Sequence, residues 1–293
     1  MVPVRLLITG VNGQVGGYLA NLEWPNFEVT VVSRDELDLS RPDEVRSKIL
    51  QSKPQVIINA AAYTAVDKAE SEPALAQTIN AASPGVMAQC LKQWNGLLVH
   101  YSTDYVFSGD AEHPYAEGDP VAPTGVYGRT KLNGEIAIRE SGVDHIILRT
   151  SWVYAHRGSN FFLTMLRLAA ERDELTIVSD QQGTPTFALD LAELTQQMVM
   201  QQSPARDLSR LGTYHLGNGG ETNWHQFAAD IIRGAGDNDT HVLPIPTSAF
   251  PTAASRPAYS VLDKTKASEG YSLKIPSWQE GLARCISLYQ HSR

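Results

Sequence analysis

The chain has 293 residues, enough for one large domain or two modest ones. Hydrophobic residues make up 42% and charged ones 19%, which excludes the disordered and fibrous classes. With 24 basic against 32 acidic residues the net charge is -8, which argues against a general binder of nucleic acid or anionic membrane. The two cysteines, Cys90 and Cys285, stand outside any CxxC or Cys/His cluster, so neither a disulfide framework nor a zinc or iron–sulfur site is expected.

Val4–Thr9 is an apolar, β-branched run too short for a helix, and it predicts a first strand ending at Gly10. The run is also far shorter than a signal-peptide core, and no stretch of about 20 apolar residues follows, so a cytoplasmic protein without a membrane span is expected. Gly10-Val11-Asn12-Gly13-Gln14-Val15-Gly16 then sets three glycines as GxxGxxG between strand and helix. A strand that turns sharply into a helix aims free N–H groups and a positive dipole end at a pyrophosphate, and a Cβ at the close approaches would obstruct both.

Val29–Val32 predicts the second strand, and the corner after it is where a dinucleotide's adenosine ribose is read. Arg34 there tilts the choice towards a 2′-phosphate, and so NADPH, while Asp35 beside it keeps NADH open; Asp38 and Leu39 could flank the adenine. Ser40-Arg41-Pro42-Asp43-Glu44 opens a helix, with Ser40 as the N-cap candidate and a proline in the first turn. Val56–Ile58, Leu97–His100 and Ile146–Leu148 are further apolar runs separated by stretches long enough for crossover helices, the pattern of a parallel sheet covered on both faces. His100, inside an apolar strand, reads as a core residue rather than a base.

At the carboxyl end of the fourth strand lies Tyr101-Ser102-Thr103-Asp104-Tyr105-Val106-Phe107, where open α/β sheets place their ligands. A hydroxyl there, Thr103, can donate to a carbonyl oxygen that gathers negative charge during hydride delivery. Tyr127-Gly128-Arg129-Thr130-Lys131 puts a phenol and an ammonium at i and i+4 on one helix face. A nearby cation lowers a phenol's pKa from about 10 towards the working range, which suits the pair to proton transfer.

The second half has a looser rhythm. Asn160–Glu171 and Ala188–Val199 predict helices, Leu175–Val178 and Gly212–Leu216 strands, and Trp224–Arg233 a helix with Thr222 as its cap. Pro244, Pro246, Pro251 and Pro257 mark an irregular extended segment, and Trp278 to Tyr289 an amphipathic helix. The expected fold is a Rossmann-like, doubly wound parallel α/β sheet with a smaller C-terminal α/β region. Its expected division is a dinucleotide-binding domain over 1–150, receiving a later segment, and a partly interleaved substrate-binding domain over 151–293.

These motifs resemble the extended short-chain dehydrogenase/reductases, and the longer segments resemble, more closely, the dTDP-4-dehydrorhamnose reductase family. They are Asn59 to Glu70 (NAAAYTAVDKAE), Ser102–Phe107, Val126–Lys131, Arg149 to Tyr154 (RTSWVY) and Ala254–Pro257, and the likeness runs from Leu7 to about Trp278. It implies reduction of the C4 keto group of a dTDP-sugar, dTDP-4-dehydrorhamnose, by NADPH or NADH. Tyr127 would protonate the C4 oxygen, Lys131 would hold the nicotinamide ribose and depress the tyrosine pKa, and Thr103 would orient the ketone. Gly10, Gly13, Gln14, Val15 and Gly16 would hold the pyrophosphate, Arg34, Asp38 and Leu39 the adenosine end, and Ala62, Tyr63 and Thr64 the middle of the cofactor. Trp152 would pack on the sugar, with Asp104 and Tyr105 as further substrate contacts and Arg256 on the diphosphate, since a guanidinium forks onto phosphate oxygens.

Some family members carry a glutamate after the glycine turn, linked to a metal that pairs subunits. Gly17-Tyr18 stands there instead, and Asp190 with Glu193 lacks further magnesium ligands, so no metal is expected; a homodimer stays open. Two other activities are compatible with the fold: a related 4-ketosugar reductase or epimerase, and a silent regulatory subunit of the methionine adenosyltransferase type. A dehydratase would need Thr-Asp-Glu where this chain has Thr103-Asp104-Tyr105.

Overall fold

The computed structural model describes residues 2–203, 205–236 and 239–292. The first half alternates strand and helix: β1 (Val4–Thr9), α1 (Gln14–Leu19), β2 (Phe27–Val32), α2 (Pro42–Ser52), β3 (Val56–Asn59), α3 (Val66–Ala69), α4 (Pro73–Gln77) and α5 (Ser83–Lys92). It continues with β4 (Leu97–Thr103), α6 (Val126–Glu140) and β5 (Asp144–Thr150). A π-helical turn over Thr78–Ala82 joins α4 to α5.

The strands run longer than the apolar runs that predict them. β4 continues through His100, Ser102 and Thr103 because all seven of its residues are buried and the polar ones find partners inside. The helix α2 begins on Arg41, which caps nothing with its side chain; Ser40 donates its N–H to Asp38 Oδ1 at 2.9 Å instead of serving as the cap.

The second half adds β6 (Val153–Tyr154), α7 (Phe161–Glu171), β7 (Glu174–Val178), β8 (Gln182–Gly183), β9 (Thr186–Phe187) and α8 (Ala188–Gln201). Then come β10 (Gly212–His215), β11 (Thr222–Asn223), α9 (Trp224–Gly234), β12 (His241–Ile245), α10 (Thr265–Tyr271) and α11 (Trp278–His291). Asn223, not Thr222, caps α9: its side chain accepts from Gln226 N at 2.8 Å, while Thr222 is paired to Gly183 in a short antiparallel ladder. The proline-marked segment is more regular than its composition suggests. His241–Ile245 pairs in parallel with β7, and Pro244 is tolerated because this is a two-stranded sheet whose strands are both edges.

The main sheet is parallel, in the order β10-β5-β4-β3-β1-β2. Successive residues of a strand face opposite sides. Leu6, Ile8, Val56, Ile58, Val99 and Leu148 therefore join a core beneath α8, α9 and α11, whereas Leu7, Ile57, Leu98 and Ile147 join a second core with residues of α2 and α5 and Ile138 of α6. β10 comes from the second half yet lies against β5, with Gly212 opposite Ile146 and His215 opposite Arg149. The parallel register brings Thr9, Asn59 and Thr103 to one carboxyl edge, where the site is built. No helix among the described residues is long and apolar enough to cross a membrane.

Candidate active site

The glycine turn is packed too closely to admit side chains at two of its three glycines. Gly10 adopts φ +72°, and a Cβ there would stand 2.7 Å from the backbone of Ala60 and Ala61; one on Gly16 would stand 2.2 Å from the Gly10 carbonyl. These two glycines bring β1, β3 and α1 into contact. Gly13 is different: its backbone is extended (φ -83°, ψ 175°) and it precedes α1 with no side-chain cap, so the N–H groups of the first turn remain for a ligand. Gln14 beside it donates to the Val153 carbonyl at 3.3 Å and keeps its Oε1 buried without a protein partner. This bare cradle fits the dinucleotide.

At the end of β2, Arg34 is largely exposed and lies 3.7 Å from Asp38, a contact loose enough to yield to a phosphate. Leu39 is 4% exposed and packs in the second core, so its side chain is taken up by that packing. The Ala62–Thr64 segment is held by Asn80 from the π turn, which accepts from Tyr63 N at 2.8 Å and donates to the Tyr63 carbonyl at 3.1 Å. Asn80 also donates to Thr130 on α6 at 3.1 Å, which ties that segment to the helix bearing the Tyr/Lys pair.

The helix α6 starts at Gly125 without a cap of its own; Glu70 supplies one, Oε1 accepting from Val126 N at 2.8 Å. Gly128 lets the helix approach the segment after β4, since a Cβ would stand 2.1 Å from the Tyr105 carbonyl. Tyr127 thereby meets Tyr105 edge-on, with ring centroids 5.5 Å apart at 77°. The phenol of Tyr127 lies beside the Thr103 hydroxyl, which lowers its pKa, but burial, reinforced by the charge of Asp104, carries it well above the ordinary tyrosine value.

Two expectations change here. Lys131 does not turn its ammonium onto the Tyr127 phenol: Nζ donates to the Tyr101 carbonyl at 2.6 Å and stands 3.3 Å from His100 Nε2. It is 2% exposed, and burial lowers its pKa to about 8 against the opposing pull of Glu135. The hydroxyl of Thr103 does not point its proton into the cleft either; it donates to Asp104 Oδ1 at 2.8 Å while accepting from Tyr105 N at 3.2 Å. Asp104 is itself buried, with Oδ2 unpartnered, and burial raises its carboxyl to about 6.

The remaining sugar-side residues also differ from a free arrangement. Arg256 is paired with a protein carboxylate, donating to Asp67 Oδ2 at 2.6 Å, which occupies part of the guanidinium reserved for the diphosphate; its Nη1 is buried and unpartnered. Tyr105 stands near Arg256, yet burial and Asp104 outweigh the cation and push the phenol to about 12. Trp152 (φ +48°) lies against Gly183 and stacks on Trp224, centroids 3.6 Å apart at 11°, so Trp224 covers a face of the indole expected to meet the sugar. A cleft of about 490 Å³ lined by His113, Gly220, Glu221, Leu262 and Lys264 includes none of Thr103, Tyr127 and Lys131 and is not where they act. Asp190 and Glu193 both pair with Arg284.

Sequence reasoning did not single out Asn80, Glu70, Glu135 or Trp224. Glu70 ends the NAAAYTAVDKAE segment that carries the family likeness, and Glu135 follows Lys131 at the same one-turn spacing as Lys131 follows Tyr127; the other two leave no local signal.

A parallel, helix-covered sheet with a glycine cradle, a strand-end threonine and a Tyr/Lys pair one helical turn apart defines a Rossmann-like enzyme of the short-chain dehydrogenase/reductase kind. The chain belongs to the family described as the RmlD substrate binding domain, whose model matches residues 4–291. It is 44% identical to a dTDP-4-dehydrorhamnose reductase of Burkholderia thailandensis over 97% of this chain and 98% of that protein, and 43% identical to one of Salmonella typhimurium over 97% of each. Among solved structures, a dTDP-4-dehydrorhamnose reductase of Clostridium acetobutylicum superposes with a TM-score of 0.91 at 38% identity, covering 98% of this chain and all of that one. One of Bacillus anthracis in complex with NADP does so with a TM-score of 0.91 at 36% identity, covering 98% and 99%.

Proposed function

We infer that this chain reduces the C4 keto group of dTDP-4-dehydrorhamnose to give dTDP-L-rhamnose, with NADPH or NADH as the reductant. The observation that carries the chemistry is the meeting of Tyr127 and Thr103 at the carboxyl edge of the sheet, with Lys131 one helical turn behind and the glycine cradle two strands away, after β1. Reduced nicotinamide, when bound, supplies the hydride that goes to C4.

Tyr127 gives its proton to the C4 oxygen. A phenol kept above its ordinary pKa by burial still holds that proton at neutral pH, so it acts as a general acid. Lys131 would hold the cofactor's ribose, its ammonium released for this from the Tyr101 carbonyl to which it donates in this structure. Thr103, its own proton committed to Asp104, offers an oxygen that orients the phenol and fixes the ketone's place through Tyr127. Gly10, Gly13, Gln14, Val15 and Gly16 receive the pyrophosphate; Arg34, Asp38 and the Leu39 backbone the adenosine end; Ala62, Tyr63 and Thr64 the middle. Exposed Arg34 favours NADPH. Asp104, Tyr105, Trp152 and the free Nη1 of Arg256 contact the dTDP-sugar. Residues 1–150 form the dinucleotide-binding part and 151–293 the substrate-binding part. A cytoplasmic setting, with self-association into a homodimer, belongs to the same reading.

The test is incubation of the purified protein with dTDP-4-dehydrorhamnose and each reduced nicotinamide. Oxidation of one nicotinamide per sugar, with dTDP-L-rhamnose as product, is the expected result. Sugar epimerisation without net nicotinamide consumption would assign an epimerase, and no turnover with either nicotinamide would leave the regulatory reading standing in its place.

A further inference from the structure

Asp67, in the first turn of α3, divides its carboxylate between two groups of one distant loop: Oδ1 accepts from Ala254 N at 3.0 Å, and Oδ2 accepts from Arg256 Nη2 at 2.6 Å. The two donors lie 187 and 189 residues along the chain from Asp67. One prong fixes the backbone that carries Arg256, and the other fixes its guanidinium. Beyond Arg256 the loop is held again, where Pro257 lies against Gly109. The side chains of Asp67 and Arg256 are 46% and 20% exposed, and an ion pair so open to water adds little to stability. Its effect is on where the guanidinium points.

A guanidinium is a rigid planar fork, so holding Nη2 and the backbone holds Nη1 as well. Nη1 is buried and finds no acceptor among the described residues. A buried charged donor left in this state calls for an acceptor from outside the chain. Tyr105 stands beside the same guanidinium and meets Tyr127 edge-on, which places Arg256 one ring away from the phenol assigned to the sugar. On the reductase reading above, we propose that Asp67 is a positioning residue for the substrate's diphosphate: it clasps the 254–256 loop so that Arg256 presents Nη1 to a phosphate oxygen. Asp67 lies three residues beyond Thr64, so the clasp ties the diphosphate's anchor to the segment assigned to the middle of the cofactor. The carboxylate is anionic and by itself repels a phosphate. Orientation and charge therefore act with opposite signs, and that difference can be measured.

Asp67→Asn keeps the shape, removes the charge and leaves one acceptor oxygen for two donors, so one prong of the clasp is lost. If the carboxylate acted by charge alone, this variant would bind dTDP more tightly. Through orientation, its dissociation constant for dTDP, read by titration calorimetry, should rise about tenfold, the size of one hydrogen bond to a charged group, while that for NADPH stays within about twofold. The second arm is Arg256→Met with and without Asp67→Asn. A residue that works through Arg256 has nothing left to position there, so the added substitution should weaken dTDP binding no further; a merely structural residue would weaken it equally in both backgrounds. Nitrogen NMR of the parent protein should show the Arg256 guanidinium held still before dTDP is added, its signal assigned by its loss in Arg256→Met. Tighter or unchanged dTDP binding by Asp67→Asn, an equal loss in both backgrounds, or a freely turning Arg256 in the parent overturns the assignment. Binding of dTDP is read without turnover, so a parent that binds it yet leaves dTDP-4-dehydrorhamnose unreduced sinks the reductase reading and not this one. The parent's spectrum decides even where a variant fails to fold.

Discussion

Glu135 and Arg149 meet in a two-pronged pair, Nε to Oε1 at 2.9 Å and Nη2 to Oε2 at 2.8 Å, with the carboxylate fully buried and the guanidinium nearly so. Ser102 donates to the same carboxylate at 2.5 Å, so the pair joins β4, α6 and β5 directly behind the Tyr/Lys helix face. Burial alone would raise the Glu135 pKa; the fork, Ser102 and Arg139 outweigh it and hold it below the usual glutamate range. A group with a lowered folded pKa contributes stability above its unfolded value, near 4.3, and loses it as pH falls through the folded one. Arg149→Leu leaves the buried carboxylate with only Ser102 and the half-exposed Arg139 and should cost about 3 kcal/mol at pH 7, the lower end for a broken buried pair, with the deficit narrowing as pH falls and Glu135 protonates. Urea unfolding at pH 7 and at acid pH checks this, and equal losses at the two would place the effect in packing.

Tyr127→Phe keeps the ring that packs edge-on against Tyr105 and removes only the proton donor. Turnover should fall by roughly 10²–10⁴, the usual worth of a general acid, while the dissociation constant for NADPH stays within about twofold. Single-turnover rates and fluorescence titration separate the two. Retained turnover would move the proton donor elsewhere.

What was legible in the chain was what depends on near neighbours. The β1 run, the glycine spacing and the i, i+4 relation of Tyr127 and Lys131 are local, and all appear at the expected residues. Where side chains point is set by elements distant in sequence. Lys131 turns inward because β4 presents the Tyr101 carbonyl and His100 beneath α6, and Thr103 turns to Asp104 because the chain tightens into a 3₁₀ turn just after it. Trp224 reaches Trp152 across 72 residues of chain, and no local spacing could announce it. The choice of Asn223 over Thr222 as the α9 cap followed from β11 pairing, which a propensity rule does not see.

Asp104 is the opposite case to Glu135. Burial raises its carboxyl from 3.8 to about 6, and bonds from Thr103 and Ser260 only partly oppose this. A raised folded pKa means its favourable contribution is present below the unfolded value and lost as pH rises through about 6, so at neutral pH the ionised group is a burden on stability. Asp104→Asn should therefore raise stability at pH 7.5 by roughly 2–3 kcal/mol and by little at pH 4, with activity lowered because the Thr103 proton loses its charged acceptor. Thermal melts across that range decide it; a gain that does not depend on pH would detach the effect from the carboxylate.

The glycine turn gives a contrast between two positions three residues apart. Gly16→Ala would drive a methyl to within 2.2 Å of the Gly10 carbonyl, a backbone atom that cannot move without separating α1 from β1, so a loss of several kcal/mol in stability is expected. Gly13→Ala meets only the Gly10 carbonyl at 3.1 Å, in a backbone conformation open to any residue, so the protein should fold with its melting temperature changed by only a few degrees. Its methyl nevertheless sits at the mouth of the uncapped α1 N-terminus, where the pyrophosphate must approach the N–H groups. NADPH affinity should drop by about tenfold or more, about 1.4 kcal/mol, in a protein that melts almost normally. Melting curves and NADPH titrations on the two variants check the division of labour, and unimpaired binding by Gly13→Ala would remove this turn from the dinucleotide site.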